Sequence, residues 1–262
     1  MTIERTKAPV ILAAQPGLKA RDGHALSVAL AEDFTGLLAQ LSPEEWDAVT
    51  ACDPWTVKDV SAHLLAWCDA LCSPRALAAQ ARAGLRRRKR FDNLLDAHND
   101  GQVEAARSQS PQEVLDRLRV MLPRAAKLRR RLGSSLHYVP AYAGFLGGTA
   151  NLGYLLTSIF PRDILVHAID VADATGREAP VSAAGERIAA DMLRDWARRT
   201  GAQATVETSR GVYVAGDGGA TKISGSTAAL VHRLAGRNPS TEITVTGDTA
   251  AAERWLAAGC PV

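Results

Sequence analysis

Four segments of this chain repeat their apolar residues at helical spacing, and this pattern constrains the fold more than any other feature. The segments cover about 25–41, 57–72, 111–133 and 148–175. In each of them, apolar residues recur three or four positions apart, so they form one stripe along a helix of 3.6 residues per turn. Four long helices that each bury one stripe predict a four-helix bundle.

The pattern changes after Pro180, where short alternating runs replace the long stripes. Runs such as ATVETS, GVYVAG and TKISGS alternate in the manner of β-strands, and glycines separate them. Helical segments, TAALVHRLAG and TAAAERWLAAG, lie between and after the strands. We therefore predict an α+β protein with a helical bundle over residues 1–180 and a smaller mixed α/β domain over residues 181–262. Residues 1 to about 20 are predicted to be a loose arm.

The composition is that of an ordinary globular protein. The chain has 262 residues, with 31 basic and 28 acidic side chains and a formal net charge of +3. This balance gives no case for a nucleic-acid or membrane partner. The uncharged stretch 132–160 is long enough for a membrane-spanning helix, but a proline and several glycines interrupt it. Four scattered cysteines are no disulfide framework, so we expect a cytoplasmic protein. The oligomeric state stays open.

The segment PRDILVHAID, residues 161–170, places polar groups in an apolar helix. Asp163, His167 and Asp170 are spaced by four and three residues, so they share one helical stripe. Such a stripe is either a solvated edge or a place where something charged binds. Asp170 is placed to hold the second ring nitrogen of His167, or else it faces water at the end of the helix.

A third polar residue lies on another predicted helix. His63 falls on the shoulder of the buried stripe of VKDVSAHLLAWCDALC. A lone histidine there is usually a packed core residue, and an Asp–His pair four apart is usually a surface pair. Together, however, His63, Asp163 and His167 form a plausible three-ligand set for a divalent metal with one open position. Cys68 and Cys72 point away from His63 and are interpreted as buried thiols.

Two segments carry a resemblance to a known family. The stretch WDAVTACDPWTVKDVSAHL and the stretch RDILVHAIDVADATGR resemble the metal-binding segments of the DinB-like, mycothiol-dependent maleylpyruvate isomerase family. The resemblance covers most of residues 25–180, and it implies that His63, Asp163 and His167 bind the metal. The family pattern has glutamate where this chain has Asp163, which puts isomerase activity in more doubt than metal binding. Both carboxylates are competent ligands for zinc or another first-row divalent ion.

The resemblance also implies a cofactor and a further site residue. It implies mycothiol, a low-molecular-weight thiol, at the open metal position. The motif LAGR at 234–237 resembles part of the family's variable C-terminal domain. Its Arg237 is the predicted catalytic residue, because a guanidinium grips a substrate carboxylate well. The alternative is a surface arginine that follows a helix.

These observations favour an enzyme over the other classes considered. We predict a divalent-metal-dependent, mycothiol-using transferase or isomerase that acts on a small-molecule substrate. Two alternatives keep the metal. In one, the bundle is a non-catalytic protein that binds a small ligand, and in the other, a metal-bound water hydrolyses the substrate.

Overall fold

The predicted four-helix bundle is present. The computed structural model describes residues 8–136, 138–143, 148–238 and 242–262. The bundle consists of helices α1 (Ala20–Leu38), α2 (Val57–Cys72), α5 (Pro111–Ser135) and α7 (Phe160–Ala174). Helix α5 packs against both α1 and α2, and α7 closes the bundle against the same two helices.

Sequence signals fix where two of these helices begin. Thr56 precedes α2 and Ser110 precedes α5, and each forms a reciprocal capping box with the acidic residue three positions later. Pro111 lies in the first turn of α5. Proline has no N–H group, and the N–H groups of a first turn have no acceptor within the helix. The helix then continues through Pro123 to Ser135. The apolar stripes meet in one core, which includes Phe34, Val60, Leu118 and Ile164.

The segment before α7 is not regular α-helix. The short helix α6 (Leu152–Tyr154) leads into a π-helical stretch, Leu155–Ile159, and α7 starts at Phe160 with Pro161 in its first turn. The sequence predicted one helix over about 148–175. A π-helical turn widens the backbone and is frequent next to functional sites.

Two further helices lie outside the bundle and were not predicted. They are α3 (Pro74–Arg87) and α4 (Leu94–Ala106), which pack against each other and against α2. Helices α3 and α4 can approach this closely because residue 84 is glycine, since a Cβ atom on Gly84 would lie 2.9 Å from the backbone of His98. The arginine-rich segment ARAGLRRRKR, residues 81–90, therefore lies partly in a packed helix.

A five-stranded mixed sheet forms the core of the C-terminal part. Its order is β1 (Val10–Ile11), β5 (Val212–Ala215), β4 (Ala204–Glu207), β6 (Thr221–Ser224) and β7 (Thr244–Thr246). The β1–β5 and β4–β6 pairs are parallel, and the other two pairs are antiparallel. Helices α8 (Ala183–Thr200), α9 (Thr227–Leu234) and α10 (Thr249–Ala257) accompany the sheet. Strands β2 (Pro140–Ala143) and β3 (Gly148–Asn151) form a separate antiparallel pair.

The N-terminal arm is more ordered than the sequence suggested. From residue 8 onward it supplies the edge strand β1, which pairs in parallel with β5, and Leu12 is fully buried beside it. The predicted α+β class, with a helical bundle and a smaller mixed part, is confirmed. The division at residues 180 and 181 stays a prediction. No helix in the part of the chain that the structure describes is long and apolar enough to cross a membrane.

Candidate metal centre

Helices α2 and α7 bring His63, Asp163 and His167 to a common point. The Nε2 atom of His63 lies 3.7 Å from Asp163 Oδ2, and the Nε2 atom of His167 lies 3.3 Å from Asp163 Oδ1. One ligand atom from each residue lies within 4.8 Å of the other two. The imidazoles are buried, and the Asp163 side chain keeps 18% of its surface exposed. The three predicted ligands therefore converge from two helices, with the carboxylate nearest to solvent.

The second ring nitrogen of His167 is occupied by a buried carboxylate. Its Nδ1 lies 2.8 Å from Asp170 Oδ2, one helical turn away. The sequence left open whether Asp170 faces water or His167, and the structure places it fully buried against His167. The other oxygen of Asp170 lies 3.1 Å from His232 Nε2 and 3.5 Å from Arg237 Nε. Asp170 therefore connects the bundle helix to the C-terminal part.

The second ring nitrogen of His63 is occupied in a similar way. Its Nδ1 lies 3.0 Å from the amide oxygen of Gln102 on α4. The Gln102 amide nitrogen donates to Gln80 Oε1 at 2.8 Å and lies 3.1 Å from His98 Nε2. Because an amide oxygen can only accept, Nδ1 of His63 is the donor of this hydrogen bond, and Nε2 is the ring nitrogen that faces Asp163.

Gln102 was not predicted as a site residue, and the sequence shows no partner for His98 or His232. A glutamine in an unpredicted helix carries no local signal of such a role. The nearby motif DAHN, at 96–99, resembles a middle segment of the family pattern. His137, a further histidine without a partner visible in the sequence, lies outside the described residues.

The electrostatics of the centre favour a proton or a cation between its carboxylates. Burial alone lowers the pKa of His167, but the adjacent Asp163 and the hydrogen bond with Asp170 outweigh it and raise that pKa well above its usual value. Burial raises the pKa of Asp163, and the two histidines reverse this effect and lower it. The pKa of Asp170 is lowered against its burial by His167, His232 and Arg237. In the metal-free protein, the two carboxylates therefore favour the protonated form of His167.

The donor set fits a divalent metal ion. Two imidazole Nε2 atoms and one carboxylate are ligands of zinc and of other first-row divalent ions. Both imidazoles are oriented through their Nδ1 atoms, which is the usual arrangement around histidine ligands. A second group, Cys52, His167 and Asp170, also has ligand atoms within 4.8 Å of one another. In that group, however, the Asp170 oxygen that faces His167 is already engaged with the His167 ring.

Arg237 lies beside the centre but not among the three converging residues. Its Nη2 contacts Cys52 Sγ at 2.8 Å, and its Nη1 donates to the Ala235 carbonyl oxygen at 2.9 Å. Burial lowers the pKa of Arg237, but Asp170 and Cys52 outweigh this effect and raise it. The alternative of a free surface arginine does not apply, since the side chain is mostly buried. Its predicted contact with a substrate carboxylate stays a prediction.

The cysteines of α2 do not join the centre. Cys68 is buried and Cys72 is half-buried, and both are free. Burial raises the pKa of the Cys68 thiol to about 12. A thiol with so high a pKa is protonated at neutral pH, which agrees with the interpretation of this residue as a packed thiol.

Comparisons with known proteins agree with this architecture. Two solved structures align with the chain, one of a mycothiol-dependent maleylpyruvate isomerase and one of a histidine-to-alanine mutant of such an isomerase. They are 17% and 16% identical to the chain, and each alignment has a TM-score of 0.56 and covers 90% of this chain and 95% of the other. At this identity the likeness shows the fold. No curated protein matches the chain.

A family model described as the mycothiol maleylpyruvate isomerase N-terminal domain matches residues 28–172. The match spans more than half of the chain and contains both histidine segments. The resemblance noted in the sequence is thereby confirmed, and the protein belongs to the mycothiol maleylpyruvate isomerase N-terminal domain family.

Proposed function

We propose that this protein is a divalent-metal-dependent enzyme that uses mycothiol. It would either isomerise a small-molecule substrate or transfer the thiol to it. The convergence of His63, Asp163 and His167 within 4.8 Å carries the proposal. Family membership and the fold shared with mycothiol-dependent isomerases support the choice of thiol. The cytoplasm is the proposed location, and zinc is the proposed metal.

In this proposal, the chain's own residues hold and orient the reactants. His63, Asp163 and His167 would hold the ion, which when bound would stabilise a coordinated thiolate as a nucleophile at neutral pH. Asp170 and Gln102 would keep both Nε2 atoms directed at the ion.

We also propose Arg237 as the catalytic guanidinium that pairs with a carboxylate of the substrate. It would do so on the side of the centre that faces Cys52. To bind the substrate, Arg237 must give up its contact with Cys52, because its Nη2 atom lies 2.8 Å from Cys52 Sγ. A planar guanidinium offers several donors, so it can keep Asp170 while it binds a second anion.

Titration calorimetry with mycothiol tests the proposal. Zinc-loaded protein should bind about one equivalent of mycothiol, and chelator-treated protein should bind none. A fully zinc-loaded protein that gives no heat with mycothiol would contradict the proposal. Turnover of an ester or amide by such a protein would then favour the metal-activated hydrolase, and neither binding nor turnover would favour a ligand-binding metalloprotein.

A further inference from the structure

A cavity of about 300 Å³ opens directly onto the candidate metal centre. His63 and Asp163 form one end of it, and the π-helical stretch Leu155–Ile159 forms part of one wall. Helices α2, α3 and α4 also contribute lining residues. A substrate that reacts at an ion held by the three ligands can extend into this space.

The walls of the cavity are apolar. The lining includes Trp67, Leu71, Leu77, Leu95, Leu155 and Phe160. Apart from His63 and Asp163, the polar side-chain groups of the described lining are the amide of Asn99 and the indole N–H of Trp67, and both are neutral. The Oδ1 atom of Asn99 has no hydrogen-bond partner in the described part of the chain. The cavity therefore offers large hydrophobic contact area and neutral hydrogen-bonding groups.

No lysine or arginine lines the cavity among the described residues. Arg129 comes near, but it lies behind Phe160, with its Cζ atom 5.1 Å from the ring centroid, and only 3% of its surface is exposed. Arg237 contacts Cys52 and Asp170 and is not part of the lining. A carboxylate moved into this space would lose its hydration without gaining a cation, which disfavours its binding strongly.

From these walls we infer that the substrate carries an uncharged, apolar group, aryl or alkyl, beyond its reacting atoms, and that this group occupies the cavity. The inference rests on the proposed function for the reacting end of the substrate. A substrate with a second carboxylate at its far end is disfavoured. An apolar cavity of about 150 Å³ can hold benzene, so this one accommodates roughly one or two rings or an alkyl chain of similar size.

A matched pair of ligands tests the inference without the metal. Benzylideneacetone and its para-carboxylate differ by one charge at the end that enters the cavity. Both are titrated calorimetrically into the full chain after chelator treatment, in wild type and in Asp163→Asn, which removes the nearby negative charge. In both proteins, the neutral ligand should bind and the carboxylate should bind at least about tenfold more weakly.

Two variants on helix α3 locate the binding. Leu77 lines the cavity and is 48% exposed, and Leu85 is 52% exposed on the same helix but does not line it. Leu77→Arg should tighten binding of the carboxylate several-fold and weaken binding of the neutral ligand, whereas Leu85→Arg should change neither. Both positions are open to solvent, so both variants should fold.

Equal or tighter binding of the carboxylate to Asp163→Asn would overturn the inference, and so would a failure of the neutral ligand to bind. Identical effects of the two arginine variants would also overturn it. None of these outcomes bears on zinc or mycothiol, because the titrations contain neither. Conversely, a protein that prefers the neutral ligand but does not bind mycothiol contradicts the proposed function alone.

Discussion

In each histidine of the centre, a hydrogen bond at Nδ1 fixes the direction of the second ring nitrogen, Nε2. Asp170 holds Nδ1 of His167, and Gln102 holds Nδ1 of His63, so both Nε2 atoms face Asp163. The spacing of Asp163, His167 and Asp170 predicted one side of this arrangement, because those residues lie on a single helix. Gln102 could not be predicted, since only the packing of α4 on α2 brings it to His63.

Removal of either histidine should abolish tight metal binding. His63→Ala and His167→Ala should each weaken it by more than the roughly 10–100-fold that follows loss of a ligand's hydrogen-bond partner. Both residues lie inside long helices, so helix content should stay nearly unchanged. Elemental analysis and far-ultraviolet circular dichroism measure the two quantities.

His24→Ala is the control for these variants, because His24 is a half-buried histidine on α1 outside the three-residue group. It should keep the metal content of wild type. Asp163→Glu should also retain metal, since both side chains supply a carboxylate. Unchanged metal content in His63→Ala or His167→Ala would refute the ligand assignment.

Metal affinity should rise with pH through the neutral range. Asp163 and Asp170 raise the pKa of His167 against the effect of burial, so a metal ion must displace a proton from this ring. The apparent affinity should increase about tenfold per pH unit until the pKa of His167 is passed. For the metal-free protein, the same raised pKa adds stability that is fully present below about 6.5, the usual histidine value, and is lost as pH rises through the raised value.

Calorimetry in two buffers of different ionisation enthalpy counts the protons that zinc binding releases. About one proton from His167 is expected at pH 7. Release of no proton, together with a pH-independent affinity, would show that His167 is already neutral in the metal-free protein.

At the scale of elements, the α3–α4 hairpin shows why part of the fold escaped prediction. Residues 74–90 are rich in alanine and arginine, and Gly84 is the buried residue of α3 in the described structure. The hairpin packs through a close glycine contact rather than through a broad apolar stripe, so apolar periodicity does not reveal it. The four bundle helices and the C-terminal strands, in contrast, bury the faces that their sequence pattern marks.

Gly84→Ala should destabilise the hairpin. The added Cβ atom would lie 2.9 Å from the His98 backbone, and the backbone would have to shift to relieve this clash. We expect the free energy of unfolding to fall by about 1–3 kcal/mol. Gly36→Ala is the matched helical control, because a Cβ atom there has no neighbour within 4 Å. It should stabilise by about 0.4–1 kcal/mol, and urea denaturation measures both. Equal stability changes would contradict the packing of α3 on α4.

Gln102→Leu tests whether the hairpin supports the metal centre. The change removes the hydrogen-bond partner of His63 Nδ1 but no metal ligand. Zinc affinity should fall by about 10–100-fold, as measured by competition with a chromogenic chelator. Gln112→Leu, a change at an exposed glutamine on α5 whose amide donates to Asp116, should leave the affinity unchanged. An affinity equal to wild type in Gln102→Leu would show that the hairpin does not tune the centre.

At the scale of the whole molecule, buried ionic contacts join the bundle to the C-terminal part. Arg162 on α7 is fully buried and lies 2.6 Å from both Asp191 and Asp195 on α8, and it also donates to the Pro261 carbonyl oxygen at 3.1 Å. Asp170 makes a similar connection to His232 and Arg237. The sequence predicted both parts but not their connection, because residues distant in the chain show no pattern of pairing.

Arg162→Met should destabilise the whole protein. The change removes the 2.6 Å contact of the buried Asp191 and leaves it only the longer 3.6 Å contact with Arg194, so we expect a loss of about 3–5 kcal/mol in the free energy of unfolding. Arg119→Met is the matched control, since the Arg119–Asp116 pair is about half exposed, and it should cost less than about 1 kcal/mol. Chemical denaturation measures both. A loss as small in Arg162→Met as in the control would mean that the buried contact does not hold the two parts together.

X-ray absorption spectroscopy of the zinc-loaded full chain tests the central claim most directly. With His63, Asp163 and His167 as ligands, the spectrum should show only nitrogen and oxygen ligands at about 2.0–2.2 Å, and a sulfur ligand at about 2.3 Å should appear when mycothiol is added. A sulfur ligand in the thiol-free protein that disappears in Cys52→Ser would contradict the account. The metal would then belong to Cys52, His167 and Asp170.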